Sequence, residues 1–127
     1  MATRATTRVL LVDDESLVRR ILKQILGAYQ DMELVGEAAN GEEAIAAVAQ
    51  LQPDVVVMDI RMPGLDGIAA ARVIKGKYPH VKIIGLSEYA QSYNIEAMER
   101  AGAVGVYHKS MALEELYPAI KAIHPAI

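Results

Sequence analysis

Short apolar runs alternate along this chain with longer stretches in which apolar residues recur at the spacing of a helix. The runs cover residues 8–12, 32–38, 55–58, 82–86 and 104–107. Most of them are solidly apolar, which is typical of strands that are buried on both faces of a sheet. Strand and helix patterns therefore alternate five times, and this predicts an α/β domain with a parallel sheet.

The first two helical stretches carry clear sequence signals. In the first, one helical face is formed by Leu17, Val18, Ile21, Leu22, Ile25 and Leu26. In the second, Asn40 is predicted to be the N-cap and Glu43 occupies the capping-box position. Pro53 then ends this helix before the third strand.

Three further helices are predicted over residues 68–77, 92–101 and 112–123. Gly102 is predicted to cap the C-terminus of the middle one. Pro118 lies inside the last, where it would remove the backbone hydrogen bond to Glu114 at a cost of about 3 kcal/mol in a regular interior. The last helix is therefore expected to begin late or to kink at Pro118.

Composition and charge narrow the class of protein. The chain has 127 residues, 53% hydrophobic and 23% charged, an ordinary mix for one domain with one core. We predict a single domain over residues 1–127, in which polar residues 1–7 form a flexible N-terminal tail. The net charge is −3 and no basic tract stands out, so direct nucleic-acid binding by this domain is not expected.

The chain has no cysteine, which excludes disulfides and thiolate metal sites. No apolar run approaches the ~20 residues that cross a membrane, and residues 1–7 lack the apolar region of a signal peptide. We therefore predict a cytoplasmic protein without a membrane partner.

Polar residues follow four of the predicted strands. Asp13 and Asp14 follow the first, Asp59 the third, Ser87 the fourth and Lys109 the fifth. Because ligands bind at the carboxyl ends of the strands in an open parallel sheet, these side chains are expected to meet there. Three carboxylates need more positive charge than one lysine supplies, and this favours a divalent metal.

The residue types indicate which chemistry such a cluster could perform. Short carboxylates without histidine suit Mg²⁺ better than zinc. Lys109 could bind a phosphoryl oxygen as a point charge, and the Ser87 hydroxyl could donate to another oxygen. Asp59 would then be a carboxylate nucleophile that forms an acyl phosphate.

Four segments together resemble the receiver domain of two-component response regulators. They are Val12-Asp13-Asp14-Glu15, Asp59-Ile60-Arg61-Met62-Pro63-Gly64-Leu65-Asp66-Gly67, Leu86-Ser87 and Val106-Tyr107-His108-Lys109-Ser110. The resemblance covers nearly the whole chain, and its D-x-x-M-P-x-x-D-G stretch is highly specific. The segments Asn40-Gly41-Glu42-Glu43-Ala44 and Lys109-Ser110 are most similar to receivers that precede a LuxR-type helix-turn-helix output domain.

The resemblance implies a flavodoxin-like three-layer (βα)5 sandwich with strand order 2-1-3-4-5. It implies that Asp59 accepts a phosphoryl group from a phosphohistidine on a partner histidine kinase. Asp14, Asp59 and the backbone carbonyl of Arg61 would bind Mg²⁺ directly, and Asp13 would bind it through water. The domain would catalyse only its own phosphoryl transfer and dephosphorylation.

The resemblance also implies a switch. Lys109 would contact the phosphoryl group, Ser87 would follow it, and the aromatic ring of Tyr107 would rotate with Ser87. This change would reach an output domain or partner protein through the fourth helix, fifth strand and last helix, with a homodimer through that face as a further expectation. Regulation of transcription is the expected process.

Two positions depart from the family's pattern. The residue after the switch hydroxyl is usually small, but here Glu88 and Tyr89 follow Ser87. A carboxylate there would repel a phosphodonor unless Arg61 pairs with it, and Tyr89 could cover the site. Ser110 follows Lys109 where proline is common, so the turn into the last helix loses a rigid residue.

Three other functions are weighed against a phosphorylated receiver. A haloacid-dehalogenase-like phosphatase would need a second acid two residues after the nucleophile, where Arg61 stands. A flavin or dinucleotide binder would need a glycine-rich turn in place of Asp13-Asp14-Glu15-Ser16. A degenerate receiver used only for interactions would not need the complete set of phosphorylation residues found here.

Overall fold

The computed structural model describes residues 6–88 and 92–124, which form a parallel sheet with helices on both faces. The strands are β1 (Thr7–Val12), β2 (Met32–Ala38), β3 (Val55–Asp59), β4 (Lys82–Ser87) and β5 (Ala103–His108). The helices are α1 (Ser16–Gly27), α2 (Gly41–Leu51), α3 (Gly67–Lys77), α4 (Ser92–Arg100) and α5 (Ala112–Ile123), with a 3₁₀ turn over Lys109–Met111. Every predicted strand and helix is present.

The strand order is β2-β1-β3-β4-β5, and each neighbouring pair is parallel. This confirms the flavodoxin-like α/β fold. The central strand β3 is buried at all five positions, as its unbroken apolar run predicts. The carboxyl end of β3 therefore opens at the middle of the sheet edge, between the ends of β1 and β4.

Alternate residues of β1 face different cores. Leu10 and Val12 belong to an apolar cluster that includes residues of α2, α3 and α4, whereas Val9 and Leu11 belong to a cluster with residues of α1 and α5. Burying a side chain of this size stabilises the fold by about 1.5–3 kcal/mol. Apolar burial on both faces fixes the strand register, since a slip of one residue would exchange the two faces.

The predicted cap of α2 is confirmed with one difference in detail. The Oδ1 of Asn40 accepts a hydrogen bond from the N–H of Glu43 at 2.8 Å. The carboxylate of Glu43 accepts a hydrogen bond from the N–H of Ala39 at 2.9 Å. In a capping box it would instead accept from the N–H of the N-cap residue, Asn40.

The last helix begins where the sequence predicts, at Ala112, and continues through Pro118 to Ile123. The expectation of a late start is therefore wrong. Both Pro118 and Glu114, whose carbonyl loses its helical partner, are exposed. Water can hydrogen bond to a carbonyl at an exposed position, which lowers the cost of an interior proline.

The predicted flexible tail over residues 1–7 is wrong for Thr7, and residues 1–5 of it lie outside the described residues. Thr7 is the first residue of β1 and is fully buried, and its N–H donates to the carbonyl of Asp31 at 2.8 Å. Among the helices in the described part of the chain, none has the length and apolar content to cross a bilayer.

The apolar face of α1 is only partly used by the core. Leu22 and Leu26 are buried against the sheet, whereas Leu17 is 60% exposed and Ile21 46% exposed. Leu113, at the start of α5, is 66% exposed and lines the same two surface cavities as Ile21. We call Leu17, Ile21 and Leu113 the α1–α5 apolar face.

Candidate phosphorylation site

The polar residues predicted to converge do lie together at the carboxyl edge of the sheet. Asp59 is the last residue of β3 and Ser87 the last of β4, while Asp13 and Asp14 follow β1 and Lys109 follows β5. A cavity of about 180 Å³ at this edge is lined by Asp14, Glu15, Asp59, Arg61, Ser87, Glu88 and Lys109. The parallel sheet produces this convergence because all of its strands end on the same side.

Lys109 joins the two buried acids of the site. Its Nζ lies 2.8 Å from Oδ2 of Asp13 and 3.3 Å from Oδ2 of Asp59. Asp13 is 1% exposed and Asp59 is 6% exposed. One ammonium group thus faces two carboxylates in surroundings with little water, where charges interact more strongly than at the surface.

This crowding of charge shifts the pKa values of Asp59 and Lys109. Burial, with the neighbouring Asp13 carboxylate as the second cause, raises the pKa of Asp59 to about 6. Burial alone would lower the pKa of Lys109, but the carboxylates of Asp13 and Asp59 raise it above its ordinary value. At neutral pH the site therefore holds a protonated lysine beside an ionised but easily protonated Asp59.

The donor set fits a hard divalent cation. One carboxylate oxygen from each of Asp13, Asp14 and Asp59 lies within 4.8 Å of the other two. The buried Oδ2 of Asp13 lies 2.8 Å from the Lys109 ammonium, and Oδ1 of the same residue accepts from the N–H of Glu15. Three clustered carboxylate oxygens match the preference of Mg²⁺ for carboxylates and bound water.

Contacts with Asp59 and a helix cap hold the loop between β3 and α3. The N–H of Arg61 donates to Oδ1 of Asp59 at 3.3 Å, and Asp66 caps α3 by accepting from the N–H of Ala69 at 2.9 Å. Gly67 begins α3 so close to β3 that a Cβ at position 67 would overlap the carbonyl oxygen of Asp59. The final Asp-Gly of the motif therefore serves to pack α3 against the site.

Ser87 and Tyr107 lie on neighbouring strands but in different surroundings. Ser87 is 6% exposed and lines the site cavity. Tyr107 is half-buried, and its ring lies over Gly105, where an added Cβ would be 3.2 Å from Cε2 of the ring. Tyr107 also borders a surface cavity with Glu114 and Pro118 of α5. The proposed switch aromatic thus contacts the α5 side of β5 and not the site cavity.

The structure describes two of the three residues predicted to modulate the site, Arg61, Glu88 and Tyr89. Glu88 is exposed and lines the site cavity together with Arg61. No ion pair or hydrogen bond joins Glu88 to Arg61 in the part of the chain that the structure describes, so the pairing that would offset Glu88 is not formed. Tyr89 lies outside the described residues.

Three residues that support the site escaped sequence reasoning. The N–H of Glu15 donates to Oδ1 of Asp13 at 2.9 Å, and the guanidinium of Arg19 donates to the backbone carbonyl of Asp13 at 2.6 Å. His108 Nδ1 accepts from the N–H of Ser110 at 3.1 Å and so fixes the turn after Lys109 without proline. The sequence offered one signal that Arg19 supports the site: it lies in the first turn of α1, shortly after the acidic residues that follow β1.

Comparison with known proteins agrees with this geometry. A family model described as the response regulator receiver domain matches residues 9–121. The transcriptional regulatory protein YxjL of Bacillus subtilis (strain 168) is 42% identical over 116 residues, which are 91% of this chain and 53% of that protein. The chain spans about half the length of the curated relatives it matches first.

Solved structures with the same fold include close matches. The LuxR-family two-component response regulator from Aurantimonas sp. SI85-9A1 has a TM-score of 0.88 at 35% identity, covering 93% of this chain and 84% of that chain. The isolated REC domain of RcsB from Salmonella enterica serovar Typhimurium, in the presence of the phosphomimetic BeF₃⁻, has a TM-score of 0.85 at 26% identity, covering 93% and 88%.

A flavodoxin-like sheet with an acidic pocket beside a lysine defines a signalling receiver. The chain belongs to the response regulator receiver domain family of two-component systems. It is a signalling switch domain.

Proposed function

We propose that a partner histidine kinase phosphorylates this domain on Asp59 and that the phosphate changes an output surface that regulates transcription. The observation that carries the proposal is the position of Asp59. It ends the buried central strand, lines a small cavity, and faces Lys109 across 3.3 Å. This arrangement presents one carboxylate to an incoming phosphoryl group beside a cation that can stabilise the phosphoryl oxygens.

The transfer reaction follows from the state of Asp59. A pKa of about 6 leaves the carboxylate ionised at neutral pH, so one oxygen can attack phosphorus. The P–O bond to Asp59 forms as the P–N bond of the phosphohistidine breaks, and the histidine nitrogen leaves with the electron pair. Water attack on the same phosphorus later breaks the bond to Asp59 and releases inorganic phosphate. The domain would therefore catalyse only its own modification.

We assign the divalent cation to Asp14, Asp59 and the backbone carbonyl of Arg61, with Asp13 acting through water. The clustered carboxylate oxygens of Asp13, Asp14 and Asp59 support this assignment. When bound, Mg²⁺ would supply positive charge to the phosphoryl oxygens.

The output surface is assigned to α4, β5 and α5. Ser87 would follow the phosphoryl group, and Tyr107 would move relative to Gly105 and α5. A phosphoryl group adds charge and three acceptor oxygens, which is enough to shift a two-state element. A LuxR-type output domain or a second receiver would bind this face, and this binding would take place in the cytoplasm.

The α1–α5 apolar face is assigned to the phosphodonor protein. It borders a cavity of about 420 Å³ that Lys109 and Glu88 also line, so it is continuous with the site. A helix that carries the phosphohistidine could therefore bury its own apolar residues here while its imidazole reaches Asp59.

Intact-mass measurement tests the assignment of Asp59. With a small acyl phosphate donor and Mg²⁺, the parent is expected to gain one phosphate and Asp59→Asn none. Asp14→Asn serves as the matched control, because it removes a proposed metal ligand but keeps the nucleophile and should gain phosphate slowly. Undiminished phosphate on Asp59→Asn would contradict the proposal.

A further inference from the structure

Arg19 of α1 connects the acidic loop to strand β2. Its Nη1 donates to the backbone carbonyl of Asp13 at 2.6 Å, and its Nε donates to Oε1 of Glu37 at 2.8 Å. Lys23, one turn further along α1, holds the second oxygen of Glu37 at 2.9 Å. The guanidinium thus spans two acceptors that belong to different elements.

The contact to Asp13 acts on the peptide unit that joins Asp13 to Asp14. The start of this segment is already held, because the N–H of Asp13 donates to the carbonyl of Ala38 at 3.1 Å. The Asp13 carboxylate is held by the Glu15 N–H and by Lys109. Asp14 is exposed, and nothing in the described residues bonds its carboxylate. The orientation of its preceding peptide is therefore the main constraint on where Asp14 lies.

We propose that Arg19 is a positioning residue for the metal: it fixes the 13–14 peptide and so holds Asp14 where it can bind a divalent cation together with Asp59. This inference rests on the proposed function. Glu37 anchors the other end of the guanidinium. Hydrogen bonds from Lys23, the larger cause, and from Arg19 hold the pKa of Glu37 below its ordinary value. The anchor is therefore charged at neutral pH.

A purely electrostatic role for Arg19 predicts the opposite effect. A positive charge beside an acidic cluster repels a divalent cation, so removing it should strengthen metal binding. A positioning role predicts weaker binding, because the carboxylate of Asp14 must then be ordered when the metal binds. The sign of the change in affinity separates the two roles.

Calorimetric titration of the metal-free protein with Mg²⁺ is the test. Arg19→Met is expected to weaken Mg²⁺ binding by about tenfold, the lower end of losses typical of residues that orient metal ligands. Arg20→Met is the matched control. It removes the same charge from the next position of α1, where the side chain is exposed and makes no hydrogen bond or ion pair within the described residues. Mg²⁺ affinity in Arg19→Met equal to or tighter than in Arg20→Met would overturn the inference.

Two further variants keep the result interpretable. Asp59→Asn should bind Mg²⁺ far more weakly than the parent, and if it binds equally well, the proposed metal site itself is wrong. If Arg19→Met does not fold, Arg19→Lys decides the question, because it keeps the charge but cannot span both acceptors. Weaker Mg²⁺ binding by folded Arg19→Lys supports positioning, and parental affinity overturns it.

Discussion

The ammonium of Lys109 lies closer to Asp13 than to Asp59, at 2.8 Å against 3.3 Å. The lysine therefore balances the charge of the acidic pocket as a whole and is not paired with the proposed nucleophile alone. This relationship predicts two effects of opposite sign when Lys109 is removed.

Lys109→Met should bind Mg²⁺ more tightly than the parent, because the acids lose their internal cation. The same variant should accept phosphate from a small donor about 10²-fold more slowly or worse, because a group that stabilises the phosphoryl oxygens is gone. Calorimetry and intact-mass time courses measure the two effects. Lys77→Met, which changes an exposed lysine at the end of α3, should alter neither. Weaker Mg²⁺ binding in Lys109→Met would contradict the charge-balance role.

The raised pKa of Asp59 makes the stability of the metal-free domain depend on pH. An unfolded Asp has a pKa of about 3.9, and the folded value is about 6. Between these values the folded state binds more protons at Asp59, so the contribution of Asp59 to stability is most favourable below pH 4 and falls as the pH rises through 6. Asp59→Asn removes this loss and should be more stable than the parent at pH 7 by roughly 1–3 kcal/mol.

Thermal unfolding at a series of pH values measures this difference. The melting temperature of Asp59→Asn should exceed that of the parent by several degrees at pH 7. The gap should shrink as the pH falls through 6 and be nearly gone below pH 4, where Asp59 is protonated in both states of the parent. A gap that does not change with pH would show that a cause other than titration of Asp59 stabilises the variant.

Glu88 should slow phosphorylation by small anionic donors. It lines the site cavity, and no ion pair with Arg61 offsets its charge within the described residues. We expect Glu88→Gln and Glu88→Ala to be phosphorylated severalfold faster than the parent at low salt, and Arg61→Ala to be slower. The differences should shrink at high ionic strength, because exposed charges are screened. Equal rates for all variants at the same Mg²⁺ concentration would show that Glu88 does not face the donor.

The α1–α5 apolar face predicts a difference between protein and small-molecule donors. With a histidine kinase that phosphorylates the parent, Ile21→Ser should lower the transfer rate about tenfold, which corresponds to losing ~1.4 kcal/mol of interface contact. Phosphorylation by a small donor should not change. Val73→Ser on α3 is the matched control, since Val73 is also partly exposed but lies away from this face. Equal loss in both variants would argue against docking on α1.

Activation should alter the face formed by α4, β5 and α5. Hydrogen exchange with and without fluoroberyllate and Mg²⁺ is expected to show changed protection around Tyr107 and in α5, because both border the same surface cavity. A response confined to α1 and α2 would place the output surface elsewhere.

The strands, helices and caps could be predicted from the sequence because they depend on short-range patterns. Apolar runs and helical spacing located each element, and Asn40 and Glu43 marked the start of α2 through bonds between residues three and four positions apart. The convergence of Asp13, Asp59 and Lys109 was also predictable. Once the sheet is parallel, every strand ends on the same edge whatever the details of packing.

The sequence by itself thus determined the fold, the site edge and the residue types that meet there. Only the tertiary structure decided that Lys109 lies nearest Asp13, that Arg61 and Glu88 stay apart, and that Arg19 holds the acidic loop. It also decided that two of the six apolar residues of the α1 stripe, Leu17 and Ile21, face outward. These relationships depend on how separate strands, helices and loops pack against one another, and small shifts between packed elements form or break such contacts, so no local pattern encodes them.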